Sequence, residues 1–231
     1  MSSLYLHIPF CEHKCIYCDF YSIESLDPMK AFLRALHADI DLHAHRGSGE
    51  RFGTIFFGGG TPSLLSPEEL GEILSHLRAT FAVAPDAEVT LEANPGTVDR
   101  AKLTAYRDLG INRLSFGVQS FHDEELKFLT RIHSAEQARA AVRDAREVGF
   151  EALSLDLIFA LPGQTIDRWM SNLRAAIALS PTHISAYSLI VESGTPLHRM
   201  VGAKLVSPLP VETEAVMYER TMELLHQENY E

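Results

Sequence analysis

Cysteine is scarce in this chain: Cys11, Cys15 and Cys18 are the only three among 231 residues. An odd set cannot pair off into structural disulfides, so a disulfide-stapled scaffold is excluded. Unpaired thiols fit a reducing compartment, and a cytoplasmic protein is expected. Long apolar runs are missing as well. None approaches the roughly 20 residues of a membrane helix, so no transmembrane segment is expected, and no charged-then-apolar signal opens the chain. Positive charge is in deficit, with 20 Lys and Arg against 31 Asp and Glu and a net charge of −11. That sign repels phosphate backbones, which argues against nucleic acid as a general partner. Low-complexity tracts and internal repeats are absent too. The length suffices for one sizeable α/β domain with a real core.

The three thiols crowd into eight residues as C-x3-C-x2-C, on a loop after the apolar run Leu4–Ile8. Thiolates select iron–sulfur clusters, zinc or copper(I). On a four-iron cubane, three thiolates would leave one iron open to a small ligand. A structural zinc knuckle is the alternative, with His7 or His13 completing a Cys3His set.

Short apolar runs alternate with amphipathic stretches, which predicts repeated β–α units and a parallel sheet. Strands are expected near Leu4–Ile8, Thr54–Phe57, Glu88–Ala93, Arg113–Gly117, Ala152–Phe159 and His183–Leu189. Helix starts are marked at Asp27-Pro28, Ser66-Pro67-Glu68-Glu69, Asp99, Ser134 to Gln137 and Thr165. Six units suggest a partial barrel, open on one side, rather than a closed eightfold one. A last helix follows Pro208 and Pro210, with Val211, Ala215, Tyr218, Met222 and Leu225 as its apolar stripe. Residues 1–207 are expected to form the barrel. Residues 208–231 read as the start of a C-terminal helical region that continues in a longer protein.

In parallel α/β folds the site gathers at the C-terminal ends of the strands. There the second strand is followed by Gly58-Gly59-Gly60-Thr61-Pro62. Glycines let a backbone approach a ligand closely, although a tight turn would use them equally well. Glu92 ends the third strand and suits a hydroxyl-binding role; a solvated strand-end acid is the plainer reading. Gln119 ends the fourth strand and Arg131 follows a short helix. Asp156 lies inside the apolar fifth strand, where an acid needs a partner, either Arg131 or a ligand cation.

With Tyr17 and Phe20 beside it, the cysteine array resembles the signature of the radical S-adenosylmethionine (SAM) superfamily. The resemblance implies a radical SAM (β/α)6 TIM-like partial barrel of α/β class. It implies a 4Fe–4S cluster on Cys11, Cys15 and Cys18, whose open iron binds the amino and carboxylate groups of SAM. It further implies an electron-donor protein and cleavage of SAM to a 5′-deoxyadenosyl radical.

HIPFCEHKCIYCDF, FFGGGTPSLL, LEANPGT, RLSFGVQSF and DLIFALPGQT together resemble a narrower group. It holds the oxygen-independent coproporphyrinogen III dehydrogenases and the HemW-type haem chaperones, and the likeness spans about residues 4 to 205. Carried over by position, Tyr5, Gly59 and Glu92 match contacts of the cluster-bound SAM. Tyr17, Gly60, Thr61, Gln119, Arg131 and Asp156 match the region holding a second SAM in the dehydrogenase. Two departures separate the subgroups. Phe20 stands where the dehydrogenase has a fourth cysteine, and Tyr5 lies almost at the start, where the dehydrogenase has an extension over its substrate. Both favour the chaperone type, which implies haem as cargo and a haemoprotein as acceptor. The alternative is oxidative decarboxylation of porphyrinogen propionates. No haem ligand is assigned, since a lone histidine such as His7, His133, His183 or His198 is more often a satisfied polar residue.

Overall fold

The computed structural model describes residues 2–230. Six parallel strands form one sheet in sequential order: β1 (Ser2–Ile8), β2 (Arg51–Gly59), β3 (Ala82–Ala93), β4 (Arg113–Gln119), β5 (Ala152–Phe159) and β6 (His183–Ser188). Parallel neighbours cannot be joined by a tight turn, so each return crosses over through a helix. The crossovers are α1 (Met29–His43), α2 (Pro67–Thr80), α3 (Arg100–Asp108), the short α4 (Asp123–Phe128) with α5 (Ala135–Glu147), and α6 (Ile166–Ile177). Two more helices follow β6: α7 (Pro196–Gly202), which the sequence pattern did not announce, and α8 (Val211–Gln227). Among the described residues β1 and β6 each pair on one edge only, which leaves the sheet open as expected.

The helix starts follow their signals. Ser66 and Glu69 make a reciprocal capping box on α2, and Ser134 and Gln137 make another on α5. Asp99 accepts from the Lys102 N–H at 2.8 Å, and Thr165 from the Arg168 N–H at 3.2 Å. Each bond satisfies an amide that the first helical turn leaves unpaired. Each strand turns an apolar face to the helices, while alternate residues such as Glu92, Ser115 and Asp156 look to the other side. Ile55, Phe57, Leu91, Leu114, Phe116, Leu153 and Leu155 are buried and pack with Leu74, Leu103, Val142 and Trp169 from the helices.

Two expectations need correction. β3 begins at Ala82, six residues before the expected start, and its register jumps from Phe52↔Val83 to Thr54↔Glu88. The intervening residues 84–87 bulge because Pro85 has no N–H to give to a ladder. On α8, most of the expected apolar stripe faces outward: Val211, Ala215, Tyr218 and Met222 are exposed, Leu225 packs against the core, and Met217 and Thr221 are buried instead. The cause is a polar one. The buried Trp169 indole on α6 requires an acceptor, and Thr221 Oγ1 supplies it at 2.7 Å.

Candidate functional site

The cysteine loop leaves the C-terminal end of β1 and is tied down on three sides. Gly60 N–H donates to Ile8 O at 2.9 Å and Thr61 N–H to Phe10 O at 2.7 Å, fastening the loop to the end of β2. Ile16 N–H reaches Thr130 Oγ1 at 3.2 Å, and Leu197 N–H on α7 reaches Ile16 O at 2.9 Å. Gly60 is required for this fit. A Cβ there would stand 2.6 Å from Phe10 O and 3.0 Å from Ile8 O, both backbone atoms. The glycine run therefore serves loop docking as well as the shelf facing the cleft.

Cys11 and Cys15 are buried, Cys18 is half-buried, and all three thiols are free. Thr61 Oγ1 donates to Cys11 Sγ at 3.5 Å, and Arg131 Nη1 approaches Cys15 Sγ at 3.4 Å. Burial pushes the Cys18 thiol up, and a hydrogen bond from the Phe20 backbone partly offsets this. Among the described residues, no three His, Cys, Asp or Glu side chains converge on one ion position. A cubane takes one thiolate per iron, so a spread triad with donors to its sulfurs fits a cluster. The histidines considered for zinc have other partners. His7 binds the Tyr5 hydroxyl at 3.1 Å and Tyr21 O at 2.8 Å, and His13 pairs with Glu24 at 3.2 Å.

A cleft of about 150 Å³ lies between the loop and the strand ends. It brings together the three cysteines and every other expected site residue except Tyr5: Tyr17, Gly59, Gly60, Thr61, Glu92, Gln119, Arg131 and Asp156. Tyr5 stands beside it, 60% exposed, and its ring lies against Gly58 close to Glu92. Glu92 accepts from the Gly59 N–H at 3.1 Å. Burial lifts its carboxyl to about 7, the Gly59 bond opposes the rise, and the charge of Asp156 adds to it. Asp156 is also raised by burial, with the Ser185 and Ser115 hydroxyls pulling the other way. It makes no ion pair with Arg131, which donates instead to Gly117 O at 2.8 Å. Two carboxylates thus face the lumen with acceptor capacity to spare, as polyhydroxyl ligands require.

Sequence reasoning missed Tyr187, at the end of β6. Its hydroxyl donates to Gln119 Oε1 at 2.9 Å and helps hold Gln119, a non-glycine residue at φ +67°. A tyrosine near a strand end carries no signal of that role. His133 and His183 are satisfied polar residues: the first meets Asn94 and Val118, the second Ser154. A larger groove of about 920 Å³ runs along the β1 edge under α1, but it contains none of the cysteines.

A family model for the Radical SAM superfamily matches residues 5–176. Among curated proteins the chain is 43% identical to the haem chaperone HemW of Escherichia coli K12, over 84% of this chain and 52% of that protein. It is 42% identical to HemW of Bacillus subtilis 168, over 96% of this chain and 59% of that protein. Among solved structures it superposes on coproporphyrinogen III oxidase (HemN) of Escherichia coli, a radical SAM enzyme. The TM-score is 0.87 at 29% identity, covering 98% of this chain and 52% of the other. The chain spans about half the length of the relatives it matches.

Proposed function

Because the chain belongs to the radical SAM superfamily, we propose that it is the cluster- and SAM-binding part of a HemW-type haem chaperone. The observation that carries the reading is the identity of 42–43% to HemW proteins, against 29% to the oxidase of the same fold. When bound, the 4Fe–4S cluster supplies a low-potential electron and an open iron for SAM. Cys11, Cys15 and Cys18 would hold it. The backbone of Gly59 would form the shelf beside it, and Glu92 would accept hydrogen bonds from the ribose hydroxyls. Gln119, Asp156 and Tyr17 line the remaining wall of the cleft. Haem as cargo, a haemoprotein acceptor, a reducing donor protein and a cytoplasmic setting belong to the same proposal.

The enzyme reading has one observation against it. A decarboxylase acting on a tetracarboxylate must neutralise several propionates, usually with arginine or lysine. Among the described residues the cleft is lined by two such cations, Lys14 and Arg131, fewer than a tetracarboxylate calls for. Lys14 Nζ donates to Phe20 O at 2.9 Å, and Arg131 is held by Gly117 O and Cys15 Sγ. Full-length protein, purified without oxygen, tests the choice. Added haem should give a saturable Soret band. Coproporphyrinogen with SAM and reductant should yield no protoporphyrinogen. SAM-dependent multiple turnover, lost in Cys15→Ser, would promote the enzyme reading instead.

A further inference from the structure

Arg131 carries a charge that no carboxylate answers. It leaves the turn after α4, where Thr130 sits at φ +56°, and extends into the cleft. Nη2 donates to Gly117 O at 2.8 Å and Nη1 lies 3.4 Å from Cys15 Sγ. Nε is enclosed and has no partner. Among the described residues, no Asp or Glu oxygen comes within 4.0 Å of this guanidinium. Asp156, the acid expected to pair with it, is engaged by serines.

A guanidinium keeps its proton in proteins, and withdrawing its charge from water without a counter-ion is costly. Its ionisable neighbours are Tyr17, Tyr187 and Cys15; burial raises both phenols and keeps them neutral, whereas a cysteine supplies negative charge when it ligates metal, since ligation deprotonates the thiol. We infer that Arg131 is the counter-cation of the iron–sulfur cluster and raises its reduction potential through Cys15. The inference rests on the cluster reading above, and it assigns Arg131 a task that requires no second SAM. Reduction adds an electron to the cluster, so a fixed positive charge beside one of its sulfurs favours the reduced state. The contacts are asymmetric. Cys11 receives the neutral Thr61 hydroxyl and Cys18 feels Lys14 only through space, so among the three Cys15 is the one with a cation against its sulfur.

The test is an EPR-monitored redox titration of the anaerobically reconstituted protein without SAM. Iron and sulfide counts confirm loading of each variant. Arg131→Met should make the cluster at least tenfold harder to reduce, a shift of about 59 mV to more negative potential for one electron. Arg131→Lys should stay within about threefold of wild type. A loaded Arg131→Met cluster with the wild-type potential overturns the inference. If that variant takes up no iron, Arg131→Gln replaces it, with the same shift expected. Failure of both to hold iron, with wild-type melting curves, would make Arg131 a loop anchor and also overturn it. Wild-type protein that binds no iron would defeat the cluster reading itself, a separate result.

Discussion

The backbone N–H of Gly59 donates to Glu92 Oε2 across 3.1 Å, joining the ends of β2 and β3 at the floor of the cleft. The bond stabilises the ionised carboxylate, yet burial prevails and the carboxyl stands at about 7.

A pH dependence follows from that raised value. Between the ordinary value of 4.5 and about 7, the folded protein holds a proton that the unfolded chain has released. Glu92 therefore costs nothing below 4.5, and stability falls as pH rises through 7, by at most about 3 kcal/mol. Urea melts of the cluster-free protein from pH 5 to 8 should show the decline. Glu92→Gln should remove most of it; an identical decline in the variant would place the titration elsewhere.

Gly60→Ala should loosen the cysteine loop. The added methyl meets Phe10 O at 2.6 Å, and overpacking of this kind costs about 1–3 kcal/mol. The expected readout is less iron retained per chain after reconstitution and desalting. Gly202→Ala is the control, because a Cβ there meets nothing within 4 Å. Equal retention in both variants would reduce Gly60 to a plain turn residue.

Gly59→Val combines two defects, since Gly59 holds φ +112° and its Cβ would stand 2.7 Å from the His7 ring. Strain at that backbone angle costs about 1–3 kcal/mol. The variant should therefore lose both stability and SAM affinity, read by thermal melting and by equilibrium dialysis of labelled SAM. Full SAM affinity would show that this shelf does not face the ligand.

Thr221→Val should destabilise the fold by about 1–3 kcal/mol, because it leaves the buried Trp169 indole N–H without its acceptor. Thermal melting checks this. An unchanged midpoint would mean that α8 is not held through this pair.

Much of this architecture is legible in the sequence because its signals are local. Ser66 with Glu69 and Ser134 with Gln137 announce helix starts within three residues, and the cysteine array spans eight. Short apolar runs locate all six strands, because the face that each strand packs under the helices must be apolar. The failures on α8 and at Arg131 share a cause: they depend on distant partners. The buried face of α8 is chosen by an indole 52 residues away, which periodicity cannot detect. The Arg131–Cys15 contact joins residues 116 apart. Position matching placed Arg131 in the cleft, but only the fold shows which group its guanidinium meets.

The central claim is that Cys11, Cys15 and Cys18 hold a cluster with an iron open to SAM. EPR of the dithionite-reduced, anaerobically reconstituted protein, recorded with and without SAM, tests it most directly. The account predicts about four irons and four sulfides per chain, a reduced-cluster signal whose line shape changes on adding SAM, and loss of that signal in Cys15→Ser. Stoichiometric zinc, or a cluster signal indifferent to SAM, would contradict it.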